Sequence, residues 1–269
     1  MTFPDPQTPF DALVSPTPQA PGRQTVAMPP DWFQGRGLFG GLVTGLMARA
    51  LEVETPDRTL RSLTAELCGP LQPGPVDVQL DVLRAGNAVT TTTVKLVQGG
   101  EVQAHGVGVL GKARPVSRDG VFVAPPVRPP WRELEAIEMP EGVAPNFTKH
   151  YEYRLANHFP FSGGQEAVTE GWVRPKRPGV RRDAAFLAGC IDAWWPTLFT
   201  VETELRVMVT VAFTFQPFVN FEGLNPEAPL FHRARMVAGS EGYCVEMREL
   251  WGEDGRLLAL NQQTMALLK

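Results

Sequence analysis

An apolar helical segment followed by four strand-like segments occurs once in each half of this chain. That repetition limits the fold more than any other feature. In the first half, Gly35, Gly37, Gly40 and Gly41 lead into residues 42–51, where Leu42, Leu46 and Ala50, with Val43, Met47 and Leu51, recur at helical spacing. Strand-like segments at 60–67, 76–83, 88–97 and 102–110 follow. In the second half, a basic loop runs into a nearly continuous apolar stretch, 184–195, closed by Pro196. Strand-like segments at 207–215, 230–238, 242–250 and 257–268 come next. Two copies of a helix followed by antiparallel strands imply duplication of one small α+β unit. A duplicated unit can keep chemistry in one copy and lose it in the other.

Both helical segments are apolar on most sides, which suits burial within a curled sheet better than packing on one sheet face. A helix held inside a curled antiparallel sheet is the hotdog fold, so the expected class is an α+β double hotdog: two tandem units, each an antiparallel sheet wrapped around a central helix. The expected organisation is a proline-rich, extended arm over 1–22 and an N-terminal unit over 23–114 that opens with a strand at 24–28. A proline-rich linker over 115–147 follows, then a C-terminal unit over 148–269 that carries the active site and opens with strands at 151–155 and 166–173. Hairpin turns are legible at Arg84-Ala85-Gly86-Asn87, Gln98-Gly99-Gly100 and Glu253-Asp254-Gly255.

The 269 residues suffice for an adequate core, and 43% apolar with 20% charged residues is ordinary for a globular protein. A net charge of −4 argues against nucleic acid as a partner. No apolar run reaches the roughly 20 residues that span a bilayer, and the N-terminus lacks the blocks of a signal peptide. Cys68, Cys190 and Cys244 read as three buried free thiols, which predicts a reducing, cytoplasmic setting. His105, His150, His158 and His232 lack metal-ligand spacing and are expected at surface or edge positions, so neither metal nor cofactor is expected.

Two motifs mislead. Gly35-Arg36-Gly37-Leu38-Phe39-Gly40 matches a dinucleotide fingerprint, but Pro29, Pro30 and Trp32 stand where the preceding strand should be, and the following strands are hairpin-linked. Gly106–Lys112 nearly spells a phosphate loop, but Ala113 replaces the required Ser or Thr and Pro115 prevents a following helix.

Asp192 is the only charged side chain in 184–195. An acid near the end of a buried helix is disfavoured by desolvation and by the helix dipole, and such local violations mark functional sites. The alternative is an Asp that points outward or caps the next loop. Thr210 and Gln263 lie in strands otherwise rich in apolar residues. Together the three could hold one water, with Asp192 accepting its proton. Gln262 is adjacent to Gln263, and only one of the two can face the site. A rough alignment of the units sets Thr64 opposite Thr210, Arg49 near Asp192 and Gly108 near Gln263, so the first unit lacks the acid and the amide. One active site per chain is expected.

The run Gly35–Gly41, then Arg61-Ser62-Leu63-Thr64, Gly69-Pro70 and Val82-Leu83-Arg84-Ala85-Gly86-Asn87, resembles the first half of acyl-CoA thioesterase II-type double-hotdog enzymes. Gly171-Trp172-Val173-Arg174, Leu187-Ala188-Gly189-Cys190-Ile191-Asp192 and Asp254-Gly255-Arg256-Leu257-Leu258-Ala259 continue the resemblance to Gln263. In that family an Asp, a Thr and a Gln activate the hydrolytic water, and the matching positions are Asp192, Thr210 and Gln263. Where family members often carry Asp-His and Trp-Phe-His, this chain reads Val211-Ala212-Phe213-Thr214-Phe215-Gln216-Pro217, closer to the broader thioesterase-like branch. The resemblance implies an acyl-CoA or related thioester substrate, hydrolysed without metal or covalent intermediate, and a homodimer. Backbone N–H groups of Gly40 and Gly41 are then candidates to meet the oxyanion, and Arg181 and Arg182 candidates for the CoA phosphates. The competing readings are an acyl-thioester-binding protein without turnover and a hotdog hydratase or dehydratase. The latter needs a histidine where this chain has Thr197.

Overall fold

A computed structural model describes residues 7–140, 142–218, 224–225 and 227–268. Its first half contains α1 (Phe10–Leu13), β1 (Thr17–Ala20), β2 (Arg23–Met28), the small hairpin β3 (Phe33–Gln34) and β4 (Gly37–Leu38), and α2 (Gly40–Glu54). Strands β5 (Thr59–Leu67), β6 (Gly74–Ala85), β7 (Val89–Gln98) and β8 (Glu101–Gly111) follow. The second half contains β9 (Tyr151–Leu155), β10 (Val168–Pro175), α3 (Ala184–Ile191), β11 (Met208–Pro217), β12 (Leu230–Ser240), β13 (Tyr243–Trp251) and β14 (Leu257–Leu267).

Twelve strands form one antiparallel sheet in the order β1-β2-β6-β7-β8-β5-β11-β14-β13-β12-β10-β9. Reading outward from the central β5–β11 pair gives the same connectivity in both directions, which is the duplication seen in the sequence. The seam is short, from Ala212 opposite Glu66 to Phe215 opposite Leu63. Strand alternation explains the burial: on β7, Thr90, Thr92, Val94 and Leu96 face inward while their neighbours are partly exposed. Every residue of α2 from Gly40 to Leu51 is buried, and so is every residue of α3. Both helices lie within the curled sheet and touch each other where Gly45 meets the carbonyl of Ala185.

Four expectations are corrected. The N-terminal segment is not simply an extended arm: Phe10, Leu13 and Val14 are buried in the core and β1 pairs with β2. Helix α3 ends at Ile191 instead of Trp195, with Asp192 as its C-cap; Pro196 disfavours helical backbone at Trp195 but does not reach Ile191. The carbonyl of Ile191 is then taken by Arg248 Nη1 at 3.2 Å. Cys68 is exposed, lying past the end of β5, whereas Cys190 and Cys244 are buried as expected. His232 is no surface residue: it is 0% exposed on β12, stacked on Trp194 with ring centroids 5.7 Å apart.

The segment between the halves packs along the molecule. Trp131 lies under Arg154, 4.3 Å from ring centroid to guanidinium, and Phe147 stacks on Phe39 at 3.9 Å. Among the described residues, no helix is long and apolar enough to cross a membrane.

Candidate active site

The three residues singled out from the sequence meet at one point. Asp192 follows the last residue of α3 with φ −92° and ψ −5°, so the helix end delivers its side chain between the two units. Its Oδ1 accepts Gln263 Nε2 at 2.6 Å and Arg248 Nη1 at 3.3 Å. Gln263 Oε1 accepts the hydroxyl of Thr210 at 2.8 Å. Gln263 Nε2 also donates to Asn261 Oδ1 at 3.0 Å, while Asn261 Nδ2 donates to the carbonyl of Thr214 at 2.7 Å. Only this orientation of the Gln263 amide satisfies the carboxylate at one end and the hydroxyl at the other.

Backbone irregularity aims these groups. The β11–β14 register shifts between Thr210 and Ala212, a bulge that brings Thr210 onto the face carrying Phe213 and Phe215. On β14, Gln263 is fully buried and Gln262 is exposed, so Gln263 is the one that faces inward. Two further residues of the network lie on β13: Glu246 and Arg248, 1% and 2% exposed. They escaped the sequence reading because Val245-Glu246-Met247-Arg248-Glu249 looks like a solvated charged strand. A signal was available, since Glu246 and Arg248 are two residues apart and share the face of Cys244 and Leu250.

The first unit contributes its helix N-terminus. A Cβ on Gly40 would lie 2.8 Å from Asp192 Oδ2, and one on Gly41 would lie 3.1 Å from the Asp192 Cβ. Two glycines therefore let the start of α2 approach the acid. The Gly40 N–H is donated to Gln34 Oε1 at 3.3 Å, and Gln34 is exposed. The left-handed Gly35 (φ 66°) turns the β3–β4 hairpin that carries Gln34. The glycine-rich motif thus builds a close approach and a turn, with no phosphate cradle.

Burial pushes the Asp192 carboxyl up to about 6. The Arg248 cation, the Gln263 hydrogen bond and the Gly41 N–H oppose that rise, while Glu246 adds to it. At pH 7 the group is mostly ionised yet retains useful basicity.

The equivalent end of the other helix is closed. Asp183 caps α3 by accepting Phe186 N–H at 3.1 Å, and its other oxygen pairs with Arg49 at 2.7 Å. Asp11 covers the approach by accepting the N–H groups of Val180 and Arg181 at 2.8 and 3.2 Å. An ion pair and the N-terminal segment occupy the place where a second acid would stand.

The basic loop is only partly as expected. Arg181 is exposed, but Arg182 is 8% exposed, with Nη1 on the carbonyl of Arg181 at 2.7 Å and its guanidinium 4.4 Å above the Phe186 ring. Arg182 holds the loop together and does not present itself to a phosphate. Among the described residues, no group of three His, Cys, Asp or Glu is arranged to hold a metal.

Comparison with known proteins agrees with this architecture. Residues 28–111 match the acyl-CoA thioesterase N-terminal domain and residues 126–267 match the acyl-CoA thioesterase C-terminal domain. A hotdog-fold protein of unknown function from Alicyclobacillus acidocaldarius superposes with a TM-score of 0.86 at 24% identity, covering 97% of this chain and 98% of its own. A candidate thioesterase II from Thermobifida fusca gives 0.83 at 22% identity, covering 96% and 98%. An acyl-CoA thioesterase II from Mycobacterium marinum gives 0.75 at 16% identity, covering 96% and 98%. At these identities the superpositions establish the double-hotdog fold. No curated protein sequence gives a significant match.

Proposed function

The chain belongs to the acyl-CoA thioesterase family, matched over both units, and from that premise we propose that it hydrolyses an acyl-CoA thioester by direct attack of one water. The observation that carries this reading is the chain Thr210–Gln263–Asp192, hydrogen-bonded at 2.8 and 2.6 Å and set against the N-terminus of α2.

In this reading each atom has different work. Asp192 Oδ1 is occupied by Gln263 and Arg248, so Oδ2, facing Gly40, is the basic atom. Thr210 spends its proton on Gln263, which leaves its oxygen to accept. A water donating one hydrogen to Asp192 Oδ2 and one to Thr210 Oγ1 keeps a lone pair for the thioester carbon. Its oxygen bonds to that carbon as its proton passes to Asp192, and the carbonyl becomes an oxyanion. Collapse of the tetrahedral intermediate breaks the C–S bond, and the thiolate takes the proton from Asp192 to leave as CoA. The positive end of α2, with the Gly40 N–H, meets the oxyanion, such a donor contributing about 3 kcal/mol, while the Gly41 N–H stays on the Asp192 carboxylate. The thioester oxygen would displace Gln34 from the Gly40 N–H.

Thr197 donates both its N–H and its hydroxyl to Glu246 at 2.7 Å, which disfavours a dehydratase built around that position. The phosphate contact in this reading rests on exposed Arg181 alone. The sheet's two edge strands, β1 and β9, are surfaces to protect and support the homodimer reading. A monomer mass by light scattering over a wide concentration range contradicts the dimer.

A panel of acyl-CoA thioesters with a free-thiol readout tests the reaction. Release of CoA supports hydrolysis. Binding of the thioesters without release supports a protein that kept the fold and lost turnover.

A further inference from the structure

Beneath the acid lies a charged pair that the three proposed catalytic residues do not include. Arg248 Nε donates to Glu246 Oε1 at 2.6 Å, and Arg248 Nη1 reaches Asp192 Oδ1 at 3.3 Å and the carbonyl of Ile191 at 3.2 Å. The other oxygen of Glu246 accepts the N–H and hydroxyl of Thr197, each at 2.7 Å. The register places Glu246 beside Gln263 and Arg248 beside Asn261 on adjacent strands. One pair therefore touches the acid, the end of α3 and the segment that follows Pro196.

We propose that Arg248 is a positioning residue for the hydrolysis: braced by Glu246, it fixes the Asp192 carboxylate through Oδ1 and keeps Oδ2 ionised as the base. This rests on the reading of Asp192 as the base.

Three observations favour it. An Arg–Glu pair is already neutral and needs no third charge, yet the guanidinium reaches Asp192 and, through the Ile191 carbonyl, the helix end that presents it. A planar guanidinium can serve Glu246 with Nε and Asp192 with Nη1 at once, which a lysine cannot match. Among the described residues, the remaining polar neighbours supply no rival cation. On β9, Tyr151 and Tyr153 are buried phenols held well above their usual range by desolvation, which keeps them neutral. The Cys190 thiol on α3 is likewise pushed up by burial. His232 on β12 is driven well below its usual range by burial and by Arg248, so it is uncharged. Gln263 and Asn261 on β14 carry no charge. Arg248 lowers the proton affinity of Asp192 and Glu246 raises it.

The opposite signs make the test. The pH dependence of kcat/KM is measured for the wild type, Arg248→Gln, Arg248→Lys and Glu246→Gln. The Asp192 carboxyl is titrated in parallel by ¹³C NMR, its signal identified by loss in Asp192→Asn. Arg248→Gln should move the acid limb and the carboxyl titration up by about one pH unit or more. Glu246→Gln should move both down, and Arg248→Lys, which keeps the charge but cannot bridge both carboxylates, should restore most of the position of the acid limb while kcat stays lowered and KM changes little. An Arg248→Gln profile that loses the same factor at every pH, as a packing defect would, overturns the proposal. If that variant fails to fold, Glu246→Gln decides, and an unmoved limb there overturns it. A dead Asp192→Asn with an unmoved limb in Arg248→Gln ends this proposal alone. Hydrolysis that survives Asp192→Asn ends it together with the reading of the base.

Discussion

Gln263 donates its side-chain amide to Oδ1 of Asp192 at 2.6 Å, from a strand 71 residues further along the chain. With Oδ1 so engaged, the carboxylate has one oxygen left for chemistry. Gln263→Ala frees the rotamer of Asp192 and should lower kcat about 10- to 100-fold with little change in KM. Gln263→Glu is the sharper variant, since two carboxylates sharing one site cannot both ionise easily. Its kcat/KM profile should rise only at a pH at least one unit above that of the wild type. An unshifted profile contradicts the assigned contact.

Thr210 is the far end of the same chain, through its 2.8 Å bond to Gln263. Thr210→Val keeps the shape, removes the acceptor for water and leaves the buried Gln263 oxygen unsatisfied. Turnover should fall about tenfold or more, with a stability loss of about 1–3 kcal/mol by chemical denaturation. Thr210→Ser should keep much of the activity. If Thr210→Val turns over like the wild type, the hydroxyl has no part in holding the water.

Gly40 tests the approach of α2 to the acid. A methyl group there would sit 2.8 Å from Asp192 Oδ2. Alanine is otherwise favoured in a helix by up to about 1 kcal/mol over glycine. The contact with Oδ2 is too short for a real Cβ, so Gly40→Ala must displace the carboxylate and should lower kcat at least tenfold, with any helix-propensity gain offset in the melting temperature. Unchanged turnover would move the reacting atoms away from α2.

The Asp192 carboxyl, raised by burial to about 6, gives a pH prediction with two signs. Activity needs the ionised form, so kcat/KM should fall about tenfold per pH unit well below pH 6. Stability runs the other way. The folded value lies above the unfolded one near 4, so the folded state holds the proton more tightly. The resulting stabilisation is present below about pH 4 and lost as pH rises through about 6. Asp192→Asn lacks this loss. Its stability relative to wild type should improve by on the order of 2–3 kcal/mol between pH 4 and pH 7, measured by denaturation at each pH. A flat difference contradicts a desolvated Asp192.

The sequence carries the architecture because it depends on periodicity, and each half repeats its own. Leu42, Leu46 and Ala50 mark a buried helix, and Gly99-Gly100 and Asp254-Gly255 mark hairpins whether or not the partner strand is known. Asp192 is legible because it breaks a local rule. Arg248 and Glu246 break none: two charges alternating along a strand look solvated until the sheet curls their face inward. His232 and Arg182 are misread as surface groups for the same reason, since burial of a polar residue depends on what folds over it. The end of α3 at Ile191, five residues before Pro196, goes beyond what that proline dictates, since it restricts Trp195 alone; the Ile191 carbonyl is taken by Arg248 from a distant strand. The N-terminal helix is hidden because its residues gain little from each other; Phe10 is buried by α2 and α3.

The proposed mechanism stands on the Asp192 carboxylate, and Asp192→Asn removes it at nearly constant shape. Single-turnover release of CoA thiol should be followed at pH 7.5 with saturating acyl-CoA, on a preparation whose melting temperature is recorded. A rate lower by about 10²–10⁴, with a melting temperature equal to or above the wild type, is the predicted result. A folded Asp192→Asn protein that releases thiol at nearly the wild-type rate would contradict the account.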